Sequence, residues 1–122
     1  MRISKAFRFE AAHRLATWPT MHKCHRLHGH SYRVIITLKG PVDPSTNAVC
    51  DFSEISTAWR DNFQSRFDHH NLNDVLGVKD VTAEFLAATI FHGMEQVIRH
   101  VDQVTVFETE DAWATYEGRR DG

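Results

Sequence analysis

The feature that most constrains the fold is a histidine-glycine-histidine motif, His28-Gly29-His30, which opens a strand-like run ending near Lys39. Successive side chains of an extended strand point to opposite faces of a sheet, so residues two apart share one face. His28 and His30 are therefore expected to present two imidazole rings on the same side of one strand. Because imidazole nitrogen is a common ligand of zinc, the motif predicts half of a zinc site.

A second strand-like run, from about Ile3 to His13, can supply the third ligand. Its apolar residues alternate, and His13 has the same parity as Phe7 and Phe9. If the two strands pair, all three histidines lie together at the edge of one apolar face. Three protein ligands leave one coordination position open, which is typical of catalytic zinc, whereas structural zinc usually has four ligands.

Histidines are also concentrated in two short parts of the chain. A single histidine is more often a hydrogen-bonded residue than a metal ligand, because neutral imidazole finds many other partners. Scattered histidines would not form groups, and this concentration favours metal binding by the strand histidines. Seven of the nine histidines fall in two clusters: His13, His22, His25, His28 and His30, then His69 and His70.

Cys24, four residues before His28, leaves two kinds of site open. It can be the fourth ligand of a closed structural site, since this spacing is ordinary in zinc-binding domains. It can also be a free thiol beside an open site, shifted toward the thiolate by cationic or histidine neighbours. The cluster Asp68-His69-His70 favours the open site, because an aspartate beside a histidine can orient the imidazole for acid-base chemistry.

Length and charge limit the domain organisation and the partners. The chain has 122 residues, of which 42% are hydrophobic and 25% are charged, and a single domain over residues 1–122 is expected. The formal net charge of −2 gives no global basic field, so no nucleic-acid partner is expected. A local positive cluster of Lys23, Arg26 and Arg33 fits a solvated face and a contact for a phosphorylated small molecule equally well.

The sequence contains no sign of a membrane or secretory segment. No stretch approaches the roughly 18 uninterrupted apolar residues of a membrane span, and the first residues lack the apolar core of a signal peptide. The two cysteines, Cys24 and Cys50, do not form a disulfide-rich pattern. We therefore expect a cytoplasmic protein with reduced thiols and no membrane partner.

Two helices are predicted between two hairpins. Ser53 is the expected N-cap of the first helix and Thr82 that of the second, with Asn71 to Asp74 as a loop between them. The last two strands are expected over residues 103–109 and 112–116. The apolar residues of the first helix are Ile55, Trp59, Phe63 and Phe67, and those of the second are Leu86, Ile90, Met94, Val97 and Val101.

The element order β-β-α-α-β-β predicts an α+β fold with an antiparallel sheet and both helices on one face. Such a sheet leaves its edges exposed, and natural proteins often cover exposed edges by oligomerising. An oligomer is therefore expected.

Five dispersed motifs together resemble the 6-pyruvoyl-tetrahydropterin synthase family, from Phe7 to about Glu110. Within that family, the spacing from Cys24 to His28 resembles the bacterial branch that makes 6-carboxytetrahydropterin for queuosine biosynthesis. The motifs are Phe9-Glu-Ala-Ala-His13, Cys24-His-Arg-Leu-His28-Gly-His30, Asp51-Phe52, Asp68-His69-His70-Asn-Leu-Asn73 and Glu108-Thr109.

The resemblance implies a T-fold, assembled as a trimer or a hexamer of trimers with active sites between subunits. It implies that His13, His28 and His30 hold zinc and that Cys24 is the general base. It further implies that Asp68 and His69 move a second proton and that Glu108 anchors the pterin ring, because a carboxylate can accept paired N–H donors. His25, directly beside Cys24, departs from the family pattern; loop packing or solvent exposure is favoured over metal binding because the other three histidines complete the site.

The implied reaction converts 7,8-dihydroneopterin triphosphate to 6-carboxy-5,6,7,8-tetrahydropterin with loss of acetaldehyde and triphosphate. Two alternatives stay open. The first is the triphosphate lyase that makes 6-pyruvoyl-tetrahydropterin from the same substrate. The second is a non-catalytic domain with a closed zinc site of Cys24 and three histidines.

Overall fold

The computed structural model describes residues 1–118, and its framework is a five-stranded sheet. The four longer strands pair antiparallel, as predicted, whereas the two-residue β3 runs parallel to β1. The sheet is therefore mixed and not purely antiparallel as expected; the sequence contains no sign of β3, which lies in a polar segment without apolar alternation. In the order β3-β1-β2-β4-β5, the strands are β1 (Arg2–His13), β2 (His28–Lys39), β3 (His70–Asn71), β4 (Val101–Thr109) and β5 (Ala112–Tyr116).

The register of the first hairpin brings the strand histidines together. β1 and β2 pair along their whole length, from Arg2 opposite Lys39 to His13 opposite His28. Ala11 lies opposite His30, and directly opposed residues of antiparallel strands share a face. The three histidines therefore lie at one end of one face, as their parity predicted.

The helices cover this same face of the sheet. α1 (Phe52–Trp59) continues through a π-helical segment (Arg60–Gln64) into α2 (Ser65–Phe67), and α4 (Ala83–Glu95) follows the short α3 (Leu72–Leu76). No helix among residues 1–118 has the length and apolar character needed to cross a membrane. The helices and the sheet share one buried hydrophobic cluster, which includes Phe9, Val34, Ile36, Trp59, Phe67, Leu86, Ile90 and Val106.

The helix ends agree in part with the prediction. Thr82 caps α4, since its hydroxyl accepts a hydrogen bond from the Phe85 amide at 3.0 Å. The prediction of Ser53 as the first cap is wrong: Asp51 caps α1 and accepts from the Ser53 amide at 2.8 Å. An aspartate cap also gains from the positive end of the helix dipole.

Two further expectations about the helical region are corrected. The segment expected as a loop at Asn71 to Asp74 begins α3, because the Asn71 side chain caps this helix. The second helix is shorter than its apolar stripe suggested. α4 ends at Glu95, Val97 is largely exposed, and Val101 already belongs to β4.

The four-residue spacing of apolar residues explains the π-helical segment. Four residues advance about 40° beyond one turn of an α-helix, so a stripe with this spacing drifts around the helix. The wider turn over Arg60–Gln64 offsets part of the drift, and Trp59, Phe63 and Phe67 all stay buried. Gly93 of α4 faces Phe63, where a Cβ would collide with the ring, so glycine allows the two helices to approach closely.

Candidate metal centre

Three histidines form a compact cluster where β1 ends and β2 begins. The nearest ring nitrogens of His13, His28 and His30 all lie within 4.8 Å of one another. His13 is buried, and the other two are half-buried. The cluster is therefore shielded from most of the solvent.

The backbone contacts of two of these histidines identify their tautomers. His13 Nδ1 is 2.6 Å from the Val81 carbonyl oxygen, and His28 Nδ1 is 2.6 Å from the Arg26 carbonyl oxygen. A carbonyl oxygen only accepts, so both Nδ1 atoms must donate their protons. In the neutral rings the two Nε2 atoms then bear lone pairs, and these atoms are 3.0 Å apart.

This arrangement fits a bound cation. Two lone pairs facing each other at 3.0 Å repel unless a proton or a metal ion lies between them. The separation is close to the roughly 3.3 Å expected for two nitrogens on tetrahedral zinc. His30 Nε2 is also buried and has no hydrogen-bond partner among the described residues, which is the condition expected of a metal ligand. The residues present therefore fit zinc.

The electrostatics of the cluster favour its ligand form. Burial lowers the pKa of His13 and also that of His30, although the Glu108 carboxylate opposes both shifts. Both rings are therefore neutral near pH 7 and have lone pairs available for a metal. A metal-binding imidazole must be unprotonated, so this environment prepares the cluster for a cation.

Glu108 and Tyr32 complete the polar end of this face. Glu108 Oε1 lies 3.4 Å from His30 Nε2, and the β4–β5 register shifts at Glu108, between Phe107 and Thr109. The buried Tyr32 hydroxyl, two residues after His30, lacks a hydrogen-bond partner within residues 1–118. Burial and the nearby carboxylate raise the pKa of Tyr32, so its hydroxyl stays a neutral donor.

Cys24 lies near the cluster in sequence but outside the set of converging ligand atoms. It belongs to a short 3-10 helix (Lys23–His25), is half-buried, and is a free thiol. Its backbone N–H donates to His22 Nδ1 at 3.0 Å, and its carbonyl accepts from the Leu15 amide at 2.8 Å. Within residues 1–118, the group of converging ligand atoms contains three histidines and not the Cys24 sulfur.

The half-buried Asp68 and the exposed His69 form a pair at the edge of β1. His69 Nδ1 lies 3.1 Å from Asp68 Oδ2, while Asp68 Oδ1 accepts from the Glu10 amide at 2.9 Å. The Glu10 contact, with help from His69, lowers the pKa of Asp68 and keeps it a carboxylate. The imidazole of His70 turns instead to the Asp68 carbonyl, at 2.9 Å.

The backbone at His69 is held in an unusual conformation. Its φ of 61° is left-handed, which is uncommon for a residue other than glycine. The His69 amide donates to the Glu10 carbonyl, so residues 68 and 69 hold both backbone groups of Glu10. The 78% exposed His69 side chain and His30 line one cavity of about 510 Å³. In the part of the chain described, no hydrogen bond or ion pair joins the Asp68-His69 pair to Cys24 or to the histidine cluster.

The Asn73 side chain links backbone segments around the cluster, a role that the sequence analysis did not identify. Its side-chain oxygen accepts from the Arg14 amide at 2.9 Å. Its side-chain nitrogen donates to the carbonyls of Arg14 at 2.9 Å, Val78 at 3.2 Å and Lys79 at 2.9 Å. One carboxamide thus joins the residue after His13 to the segment that leads to Val81. The Asn-Leu-Asn sequence after His70 was the available signal, but a spacing pattern does not reveal such a network.

Replacing Asn73 with alanine is expected to destabilise the metal-free protein by roughly 2 to 4 kcal/mol, because several backbone groups lose their partner. Urea unfolding measures this change. Asn62→Ala is the matched control, since Asn62 makes one hydrogen bond to the Ala58 carbonyl, and it should cost only about 1 kcal/mol. Equal losses in the two variants would show that the Asn73 network does not brace this region.

A larger cavity, of about 1180 Å³, opens elsewhere, between the start of α1 and the segment that joins α4 to β4. It is lined by Cys50 but by none of the three clustered histidines. Burial, together with a hydrogen bond from its Sγ to the Glu54 carboxylate at 3.2 Å, raises the pKa of the Cys50 thiol to about 11. This thiol is therefore protonated and unreactive at neutral pH.

We expect Cys50 to be alkylated slowly at pH 8 and quickly only as the pH approaches its pKa of about 11. The ordinary pKa of a cysteine thiol is 9.0, so the folded state binds this proton more tightly than the unfolded state does. The resulting contribution to stability is fully present below pH 9.0 and is lost as the pH rises toward 11. Glu54→Gln removes the neighbouring charge and should speed alkylation at pH 8. Peptide mass spectrometry measures the rate of alkylation. An unchanged rate in Glu54→Gln would show that Glu54 does not contribute to the raised pKa of Cys50.

Comparisons with known proteins agree on one family. A sequence profile described as 6-pyruvoyl tetrahydropterin synthase matches residues 2–119. A 6-carboxy-5,6,7,8-tetrahydropterin synthase from Synechocystis is 36% identical over 119 residues, covering 93% of this chain and 91% of that protein. The human 6-pyruvoyl tetrahydrobiopterin synthase is 29% identical over 132 residues, covering 96% and 91%.

The solved structures agree with the sequence comparisons. The structure of 6-pyruvoyl tetrahydropterin synthase from Caenorhabditis elegans superposes with a TM-score of 0.88 at 27% identity. The match covers 97% of this chain and 95% of that one. The T-fold implied by the sequence motifs is confirmed by this likeness.

Proposed function

The chain belongs to the 6-pyruvoyl tetrahydropterin synthase family, and from that premise we propose that it is a zinc-dependent carbon-carbon lyase. The proposed reaction converts 7,8-dihydroneopterin triphosphate to 6-carboxy-5,6,7,8-tetrahydropterin and releases acetaldehyde and triphosphate. The proposed role is in queuosine biosynthesis. The family and the similarity to named pterin synthases support a lyase that acts on a pterin triphosphate.

The observation that supports this proposal most strongly is the convergence of three imidazoles with Cys24 outside the set. A three-histidine set leaves a coordination position for substrate, whereas a closed structural site would have used the thiol as its fourth ligand. The choice of product rests on the 36% identity to a 6-carboxytetrahydropterin synthase, against 29% to a 6-pyruvoyl synthase, and on the short spacing from Cys24 to His28.

In the proposed enzyme, His13, His28 and His30 hold the zinc ion. Bound zinc supplies Lewis acidity, which stabilises negative charge that develops on substrate oxygen atoms. The Val81 and Arg26 carbonyls keep two of the rings in the tautomer that presents Nε2. Glu108, beside His30, anchors the pterin ring by accepting two N–H donors from its amino-pyrimidine edge.

Two groups move protons in the proposed reaction. The Cys24 sulfur, as thiolate, takes the proton from the substrate side-chain carbon. His69 Nδ1 faces Asp68, so His69 Nε2 is the atom that returns or removes protons during tautomerisation, triphosphate elimination and carbon-carbon cleavage. Asp68 stays a carboxylate and stabilises the protonated ring.

We propose that the working enzyme is a homo-oligomer, a trimer or a hexamer, with active sites between subunits. The 78% exposed His69 makes no hydrogen bond or ion pair with Cys24 or the clustered histidines in the part of its own chain that the structure describes. A proton shuttle in that position can serve a site that a second copy completes. Among residues 1–118, β5 is also an edge strand of the sheet, and such an edge can pair with a strand of another copy.

The test is to incubate zinc-loaded protein with 7,8-dihydroneopterin triphosphate and identify the products by mass spectrometry, with acetaldehyde trapped as it forms. We expect a 6-carboxy product together with acetaldehyde. A 6-pyruvoyl product would leave the proposed site intact but replace the proposed reaction with triphosphate elimination. The human relative is named for a 6-pyruvoyl product of this kind. Unchanged substrate would leave the non-catalytic zinc domain as the better description.

A further inference from the structure

The ring of His25, directly after Cys24, bridges two parts of the chain. Its Nδ1 is 3.0 Å from the Trp18 carbonyl oxygen, and its Nε2 is 3.3 Å from Arg14 Nη2. The carbonyl can only accept and the guanidinium can only donate, so Nδ1 bears the proton and Nε2 accepts. Both nitrogens of the His25 ring are thus engaged, and neither is available to bind a metal.

The two residues of this contact adjoin the two groups that the proposed reaction requires. Arg14 directly follows His13 of the metal cluster, and His25 directly follows Cys24. The Arg14 backbone is itself held at both its amide and its carbonyl by Asn73. The guanidinium therefore extends from a braced point on the metal-binding hairpin to the loop that carries the thiol.

Two further contacts hold this loop, one on each side of the guanidinium contact. The Leu15 amide donates to the Cys24 carbonyl at 2.8 Å, which fixes the position of the loop backbone at that point. The Arg26 carbonyl lies 2.6 Å from His28 Nδ1, which fixes the loop where it enters β2. The guanidinium contact attaches the loop between these two points, at the residue that adjoins the thiol.

We propose that Arg14 and His25 are positioning residues, which together hold the Cys24 thiol at a fixed place relative to the histidine cluster. This inference rests on the proposed function, because it assigns the pair a role in presenting the general base. Misplacement of a reacting group by about 1 Å can cost 100-fold in rate, so a loop that lacks the Arg14–His25 contact should retain substrate and metal binding but lose turnover.

Three variants isolate the contact. His25→Phe keeps a ring of similar size and removes both hydrogen bonds, and Arg14→Met keeps the length of the side chain and removes its donors. His25→Gln is the conservative variant, because its carboxamide can donate to Trp18 and accept from Arg14. Met21→Ala is the control in the same loop, since Met21 is 94% exposed.

We expect His25→Phe and Arg14→Met each to lower kcat roughly 10- to 100-fold, with KM and zinc content unchanged. The double variant should be no slower than the slower single variant, because both changes break one contact. His25→Gln should recover kcat to within about threefold. Multiplying effects in the double variant, or a His25→Gln enzyme as slow as His25→Phe, would overturn the proposal.

A measurement without substrate separates this proposal from the proposed function. The rate of Cys24 alkylation by iodoacetamide, followed by peptide mass spectrometry in the zinc-loaded protein, should change equally in His25→Phe, Arg14→Met and the double variant. It should not change in Met21→Ala. If the alkylation rate changes equally in these three variants while wild-type protein makes no pterin product, the proposed function fails and the positioning role of the contact is retained. If product forms and the thiol reacts at one rate in every variant, the positioning proposal fails alone.

Discussion

Replacing His28 with alanine is expected to abolish stoichiometric zinc binding. His28 Nε2 and His13 Nε2 face each other at 3.0 Å, and the loss of one partner leaves two protein ligands where zinc sites normally have at least three. Activity should fall with the metal, because the group of converging ligand atoms within residues 1–118 consists of the three histidines. Elemental analysis of protein dialysed against a weak chelator measures the zinc that remains per chain.

A matched variant shows whether the loss is specific to the cluster. His92 is a histidine on α4, hydrogen-bonded to Glu95 and Tyr116 rather than to the cluster. His92→Ala should retain one zinc per chain after the same dialysis. One zinc per chain in His28→Ala would refute the assigned ligand set, and loss of zinc from both variants would point to a general effect on folding.

Replacing Cys24 with alanine is expected to leave zinc bound and to lower turnover by roughly 10² to 10⁴, the usual contribution of a general base. The thiol lies outside the converging ligand atoms, so its removal takes nothing from the metal. Steady-state kinetics and zinc analysis on the same preparation measure both quantities.

The second cysteine provides the control for this variant. Cys50 lies in a different cavity and has a raised pKa, so Cys50→Ala should change neither turnover nor zinc content. Loss of zinc from Cys24→Ala would instead support the closed site of one cysteine and three histidines. Alkylation distinguishes the two cases as well, since a zinc-bound thiol is protected until the metal is chelated.

The first hairpin and the clustering of its three histidines could be predicted because both depend on a regular period. Alternation over residues 3–13 and 28–38 places His13, His28 and His30 on one face, and the observed pairing of His13 with His28 follows from that register. The cap at Thr82 was also predictable, since a short polar side chain before an apolar stripe is a local signal.

The contacts that brace the site could not be predicted in this way. His13 contacts the backbone carbonyl of Val81, which any residue type at that position would provide, so the sequence carries no signal for it. Asn73 acts through hydrogen bonds to backbone groups that only the fold brings close to it. Asp51 and Ser53 are both good capping residues, so the choice between them depends on how the preceding loop enters α1. β3 is only two residues long and depends on the left-handed turn at His69.

The order in which these contacts can form has a consequence for folding. All three histidines belong to one hairpin, within residues 13–30, and meet through local contacts. The bond from His13 to Val81 spans 68 positions and that from Arg14 to Asn73 spans 59, so both require the closure of long loops. During synthesis the N-terminal hairpin is made first. The three proposed ligands can therefore assemble before the helical half of the chain has been made to enclose them, and we expect them to compete for metal at that stage.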